Sequence, residues 1–395
     1  MSNPTRATYK EKSNWSSLRV YFYCFPPTLT GFCNYASAYH YYQHAIVCLA
    51  EGFQDLGVEF YSNVNFWLAT PGDDFLFKYD PNITASDCDL VIINEFWWEN
   101  HLHYPQALCN IPHLLRKDRK NKVILIDSSD DFPQTNFLDP RLSQFDYHFK
   151  AHLSRSVPHP KNTYPFPFGL SKRIIKELDN PLPFTQRENR LLVNSRGFQY
   201  GDHSLRNYIQ KKFLPNIESH ISIETKKISD GKEQGDYHSL LWTQTCGRHN
   251  PGYYELLLSS KVCSSFGGYF ISPFPKRSWS LFGRAARKLI TKLGLKTNLI
   301  VQWDSWRFWE SLAAGCVPIH LDFEKYGFIL PVMPESWRHY IGIDLDDLDG
   351  SIDRFVQNFD RLPEISQTGR EWSLEHYSPN AVSQRFLQIV IKDSI

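Results

Sequence analysis

Arg307 and Glu310 stand three residues apart, just after Asp304-Ser305, and these types at this spacing can bind a phosphorylated ligand. Asp304 or Ser305 is the kind of residue that caps a helix N-terminus. Free amide donors and the partial positive charge of that terminus suit an anion such as a diphosphate. The guanidinium of Arg307 is a planar fork that matches phosphate oxygens. One turn on, Glu310 lies on the same face and can accept hydrogen bonds from ribose-type hydroxyls. Spacing alone also permits a plainer reading, a surface pair worth a few tenths of a kcal/mol.

A transfer to a hydroxyl with inversion needs a general base beside that hydroxyl. In α/β sheets reacting groups gather at the carboxyl ends of strands. Two carboxylates in the first half fit: Asp127, the leading candidate, follows Val123–Ile126, and Glu95 follows Leu90–Asn94. His40 and His44 lie one turn apart on a helix and are secondary candidates. Asp130-Asp131 and the acidic run from Asp344 to Asp349 invite a metal reading, but the second lacks the spaced ligands and glycine of a calcium loop. Asp344 to Asp347 reads better as a cap for the following helix. No metal site and no cofactor are expected. The eight cysteines show no C-x-x-C pair or zinc spacing, which fits a reducing compartment.

Short apolar runs alternate with helical stretches, and this implies parallel sheets in α/β layers. In the first half, strands are expected at 19–25, 58–62, 89–94, 122–127 and 146–150, with helices at 36–56 and 104–117. The segment Tyr164-Pro165-Phe166-Pro167-Phe168-Gly169-Leu170 reads as an unpaired crossover, because proline excludes regular pairing. The same grammar restarts with strands at 190–194, 221–225, 261–264 and 316–321. Helices are expected at 204–217, 253–259 and 304–314, with more helical sequence at 351–391. The fold class is α/β, with two Rossmann-like domains facing a cleft. The expected division is 1–168 and 169–395, the second domain carrying a basic insert at 269–301.

The run Asp304 to Ile319, with its Arg307, Glu310 and Gly315-Cys316-Val317-Pro318, resembles the donor-domain motif of GT-B glycosyltransferases of the exostosin-like family. Tyr254 to Gly268, ending in Gly267-Gly268, resembles that family's helix, strand and glycine loop. Leu330-Pro331 and Glu335-Ser336-Trp337 resemble its later Pro and Trp positions. The resemblance covers about 254–347, and the first half matches no such motif. It implies a metal-independent hexosyltransferase whose nucleotide-sugar donor is held by Arg307 and Glu310, and Gly267, Gly268, Asp304 and Ser305 complete the expected donor site. It extends to Arg196 as a basic residue near the donor phosphates. The nucleotide-sugar is then a substrate, and the acceptor a glycan or a lipid-linked sugar.

The sequence departs from the family in the insert. Residues 275–296 hold seven basic residues and no acidic one, with Trp279, Phe282, Leu289, Ile290 and Leu293 at helical spacing. This reads either as a basic amphipathic helix for an anionic membrane surface or as a helix packed on the domain with a solvated basic face. A net charge of +1 over 395 residues gives no global basic field, so no nucleic-acid partner is expected. No apolar run reaches membrane-span length, and the expected location is cytoplasmic, peripheral at most. Two other readings stay open: a sugar-nucleotide epimerase or hydrolase on the same fold, and a non-catalytic carbohydrate-binding module.

Overall fold

The computed structural model describes residues 15–24, 43–94, 111–128, 140–195, 204–225, 235–245, 247–270 and 299–392. The helix expected at 36–56 is described from His44 to Leu56. The start of that helix, the first half of the helix expected at 104–117 (described as helical at Ile111–Leu114), and the basic segment 275–296 lie outside the described residues.

Six parallel strands form the first sheet: β1 (Arg19–Tyr23), β2 (Glu59–Ser62), β3 (Leu90–Asn94), β4 (Lys122–Asp127), β5 (Tyr147–Lys150) and β6 (Thr163–Pro165). Their order is β2-β1-β3-β4-β5-β6. Every residue of β3 is buried, as are all of β4 but its first. That is why both read as unbroken apolar runs: helices on both faces of a parallel sheet leave no side for water.

The second sheet contains β7 (Glu188–Val193), β8 (Ser222–Thr225), β9 (Ser260–Ser264), β12 (Val317–Leu321) and β13 (Ile341–Ile343), in the order β13-β12-β9-β7-β8. Counted within its own half, this is again 2-1-3-4-5. The chain therefore winds the same way twice, and each sheet reverses direction between its first and third strands. The expected α/β class with two Rossmann-like parallel sheets stands. Between β9 and β12, β10 (Tyr269–Phe270) and β11 (Ile300–Val301) pair antiparallel and close the base of the insert.

Besides the helices Lys172–Glu177 and Asp236–Gln244, which the sequence reading did not expect, three elements differ from it. Thr163–Pro165 is a strand, not an unpaired crossover: it pairs with β5 from His148 to Lys150. Pro165 is tolerated because β6 is the last strand at the sheet edge, where no neighbour needs its missing N–H. β13 has three residues, too few to show a period. The helix expected at 204–217 is two, Leu205–Lys212 and Leu214–Ile217, with Ser204 as N-cap accepting from the Asn207 amide at 3.4 Å and Pro215 opening the second.

The last helix, Pro379–Lys392, returns to the first half and packs on His44–Leu56. Phe386 meets Phe53 at 5.8 Å and Phe149 at 4.7 Å between ring centres. Ser383 donates to the Leu49 carbonyl at 2.9 Å, and a Cβ on Gly52 would collide with the Pro379 carbonyl. One apolar core accordingly includes residues from both sheets and this helix. Among the described residues no helix is long and apolar enough to cross a membrane.

Candidate active site

In a doubly wound sheet the crevice opens where the strand order reverses, at the carboxyl ends of the strands. In the second sheet that point lies between β7 and β9, and the helix Trp306–Ala313 starts there. Arg307 Nε donates to the carbonyl of Asn194, just past β7. Ser265, just past β9, donates to the Arg307 carbonyl at 3.3 Å and lies 3.3 Å from Ser311 Oγ. The carboxyl end of the first sheet reaches the same segment. His152 Nδ1 accepts from the Asp304 amide at 3.1 Å, and the amide of Phe168 donates to Asp304 Oδ2 at 3.0 Å. His44 packs on the Trp306 ring at 4.5 Å and its Nε2 lies 3.3 Å from the Gly169 carbonyl. Residues 303–307 are thus the seam where both halves meet.

The capping expectation is corrected here. Ser305 does hold the N-cap position, in extended conformation, but its side chain makes no cap bond. Its buried Oγ has no hydrogen-bond partner among the described residues. Asp304 does not cap either. Its Oδ1 accepts from Trp309 Nε1 at 2.8 Å while Oδ2 holds Phe168, so it ties the helix to the first half. Both carboxylate oxygens are bonded, and burial raises the carboxyl against the pull of His152 and the Phe168 amide.

Glu310 is only 5% exposed, which overturns the surface-pair reading. Burial pushes its carboxyl up to about 7, opposed by the charges of Arg173 and Arg307 and by the Tyr253 hydroxyl. No ion pair joins Glu310 to either arginine among the described residues. Arg173 is itself buried, and its Nη1 donates to the Tyr254 hydroxyl and, at 3.2 Å, to His249 Nδ1. The guanidinium of Arg248 lies 5.9 Å from the Trp306 ring centre. Arg173, Tyr253 and Arg248 were missed by sequence reasoning. Lys172-Arg173 in a short helix looks like any solvated basic pair, and only the packing of that helix carries Arg173 inward.

Gly267 and Gly268 are present for a reason of their own. A Cβ at Gly267 would stand 2.7 Å from the Gln302 carbonyl oxygen, and Gly268 has a φ of 82° with the Val301 carbonyl where its Cβ would be. The pair lets residues 301–303 lie directly against the end of β9. That close approach sets the entry angle of the Trp306 helix.

Asp127 sits at the end of β4 as expected, but in a closed environment. Lys150 Nζ is 2.7 Å from its Oδ1 and His148 Nε2 is 3.2 Å from its Oδ2. Burial alone would raise this carboxyl; the Lys150 ammonium and His148 override it and hold it well below the usual carboxylate range. A carboxylate held that low is a weak proton acceptor. Glu95, Arg196, His40 and Asp130-Asp131 lie outside the described residues. Asp347 is the N-cap of Leu348–Gln357, accepting from the Gly350 amide at 3.1 Å, and Asp344 and Asp346 pair with Lys325 at 2.6 and 3.1 Å. Of the eight cysteines in the sequence, the five described are buried and unbridged.

No protein-family model matches the chain, and no curated protein matches it. Among solved structures, the chain is similar to an alpha-glucosyltransferase in complex with UDP-glucose and DNA containing an abasic site. That likeness has 12% identity over 94% of this chain and 98% of the other, with a TM-score of 0.49. Sucrose-phosphate synthase from Thermosynechococcus elongatus is similar at 11% identity over 95% and 99%, TM-score 0.44. HepE from Anabaena in complex with UDP is similar at 10% identity over 96% and 100%, TM-score 0.42. At these values the functional question rests on the geometry of this chain.

Proposed function

We propose that the chain is a nucleotide-sugar-dependent glycosyltransferase of GT-B architecture, with the donor held at the carboxyl ends of β7 and β9. One observation carries this reading: a buried, incompletely compensated carboxylate, Glu310, beside Arg307 at a helix N-terminus whose N-cap hydroxyl is unpaired. A donor nucleotide would complete each of these groups. Its diphosphate would accept from the amides of the Trp306 helix and from Ser305, and its ribose hydroxyls would donate to Glu310. Stabilisation of the leaving diphosphate by Arg307 and these amides is the expected source of rate enhancement. Gly267 and Gly268 shape the site through the backbone, and Asp304 fixes it against the first half. Arg196, from its place after β7, is proposed as a further phosphate contact.

In this reading the half before about residue 168 presents the acceptor, a glycan or a lipid-linked sugar, and the hexosyl transfer needs no metal. Glu95 is the better remaining candidate for a general base, since Asp127 is engaged with Lys150. A retaining reaction would need neither. The enzyme is proposed to act in the cytoplasm, with 275–296 as a contact to anionic lipid. Equal pelleting with anionic and neutral vesicles would remove that contact.

The test is donor turnover by wild type, Arg307→Ala and Glu310→Gln, with and without an added acceptor. Loss of roughly 10²-fold or more in turnover by Arg307→Ala, with an unchanged unfolding transition, supports the reading. Unchanged turnover sinks it. Donor consumption that ignores the acceptor would instead identify a hydrolase on this fold.

A further inference from the structure

Arg173, whose charge acts on Glu310, also touches a second group of side chains. Glu177 closes the helix Lys172–Glu177, His238 lies in the first turn of the helix Asp236–Gln244, and His249 sits just before the helix Pro251–Ser259. One ligand atom from each lies within 4.8 Å of the other two. His238 Nδ1 and His249 Nε2 are 2.9 Å apart, and the two rings are nearly parallel at 19°. The Tyr237 hydroxyl donates to Glu177 Oε1 at 2.9 Å, which orients the carboxylate.

We propose that Glu177, His238 and His249 form a binding site for a zinc-class divalent transition-metal cation. Two imidazole nitrogens and one carboxylate oxygen suit such an ion, whereas calcium and magnesium take mostly oxygen ligands. Three protein ligands leave the fourth position of a tetrahedral ion for water. Zinc–nitrogen bonds of roughly 2.0–2.1 Å at the tetrahedral angle need nitrogens about 3.3 Å apart. The two rings therefore have to part by only a few tenths of an ångström.

The proton inventory is simple. Arg173 Nη1 can only donate, so the Nδ1 of His249 accepts and its Nε2 carries the hydrogen shared with His238. The cation takes the place of that shared hydrogen. His249 then carries its hydrogen on Nδ1, both imidazoles stay neutral, and Arg173 keeps its bond to Tyr254 while releasing His249. Burial, with Arg173 and His238 adding to it, lowers His249 to about 3, so its ring is neutral throughout the physiological range. The Arg173 charge opposes a dication here, and the Glu177 carboxylate offsets it. The bound ion would clip three segments of the second half together, and its presence does not depend on the transfer reaction proposed above.

The experiment uses the full chain without an affinity tag, stripped with chelator and dialysed. Zinc chloride is then titrated by calorimetry, with thermal unfolding in parallel and Co²⁺ absorption as a check of tetrahedral geometry. Wild type should bind one tight equivalent and melt several degrees higher with zinc, and magnesium should give no shift. His238→Ala and Glu177→Gln, both at partly exposed positions, should keep the metal-free melting temperature and lose affinity by about tenfold or more. No tight equivalent in wild type, or the same affinity in both variants, overturns the proposal and leaves the group as a hydrogen-bonded histidine pair.

Discussion

At the carboxyl end of the first sheet, Asp127 is met by Lys150 at 2.7 Å and by His148 at 3.2 Å, all of them buried. At the switch point of the second sheet, Glu310 is equally buried, yet no cation among the described residues is bonded to it, and its carboxyl rises to about 7. Both are acidic residues on strands or helices of the same architecture, and both looked like site residues. The contrast separates a carboxylate that the protein has neutralised for itself from one left for a ligand to satisfy. A closed ion pair serves the fold, whereas a group held at a desolvation penalty is what a binding site retains.

That contrast can be broken most forcefully at Lys150. Lys150→Met strands the buried Asp127 charge and should cost about 3–5 kcal/mol in denaturant unfolding. Adding Asp127→Leu to the same chain should restore much of the loss. A mild Lys150→Met phenotype would mean that Asp127 is not closed off and would return it to the list of general bases.

Glu310→Gln should do the reverse. The folded-state pKa is raised from 4.5 to about 7, so the protonated form is favoured by folding. That contribution is present below pH 4.5 and lost as pH rises through 7. The glutamine mimics the protonated form, so the variant should match wild type near pH 4.5 and exceed it above pH 7. The gain there should be about 3 kcal/mol at most, for the rise from 4.5 to about 7. A variant less stable than wild type at pH 8 would show that Glu310 is already compensated.

Gly268→Ala comes next. With φ at 82° and the Val301 carbonyl in the way, the methyl group should cost about 1–3 kcal/mol and disturb the entry of the Trp306 helix. A neutral outcome would show that residues 301–303 can give way. Ser305→Ala is the smallest effect. An N-cap serine usually contributes about 1 kcal/mol, but this one makes no cap bond, so stability should barely change while nucleotide binding weakens. A normal capping loss would contradict the view that its hydroxyl is unpaired.

These outcomes also mark how far the sequence could be read. β3 and β4 were legible because strands buried on both faces are near-continuous apolar runs, and β12, which holds Pro318 and His320, because it follows the Gly315 helix stop. β6 was hidden by Pro165, whose exclusion from sheets fails at an edge, and β13 by its length. The helix carrying Arg307 and Glu310 was found through its spacing and its Gly315 stop. What the spacing could not show was direction. Asp304 turns to Phe168 and His152 rather than to its own helix, and Arg173 comes inward from a different helix. Both depend on how the two halves pack, and no local pattern encodes that. The fate of Asp127 was likewise decided by Lys150, a neighbour 23 residues away across a parallel strand pair.

The most direct test of the central claim is nucleotide binding at Glu310 and Arg307. Thermal unfolding of wild type would be followed across UDP, GDP, ADP, CMP and their common sugar conjugates. A ligand that binds only the folded state raises the transition through mass action. A selective rise with one nucleoside diphosphate is predicted, lost in Arg307→Ala and reduced in Glu310→Gln. No rise with any of them, or the same rise in both variants, would contradict a donor site at the switch point of the second sheet.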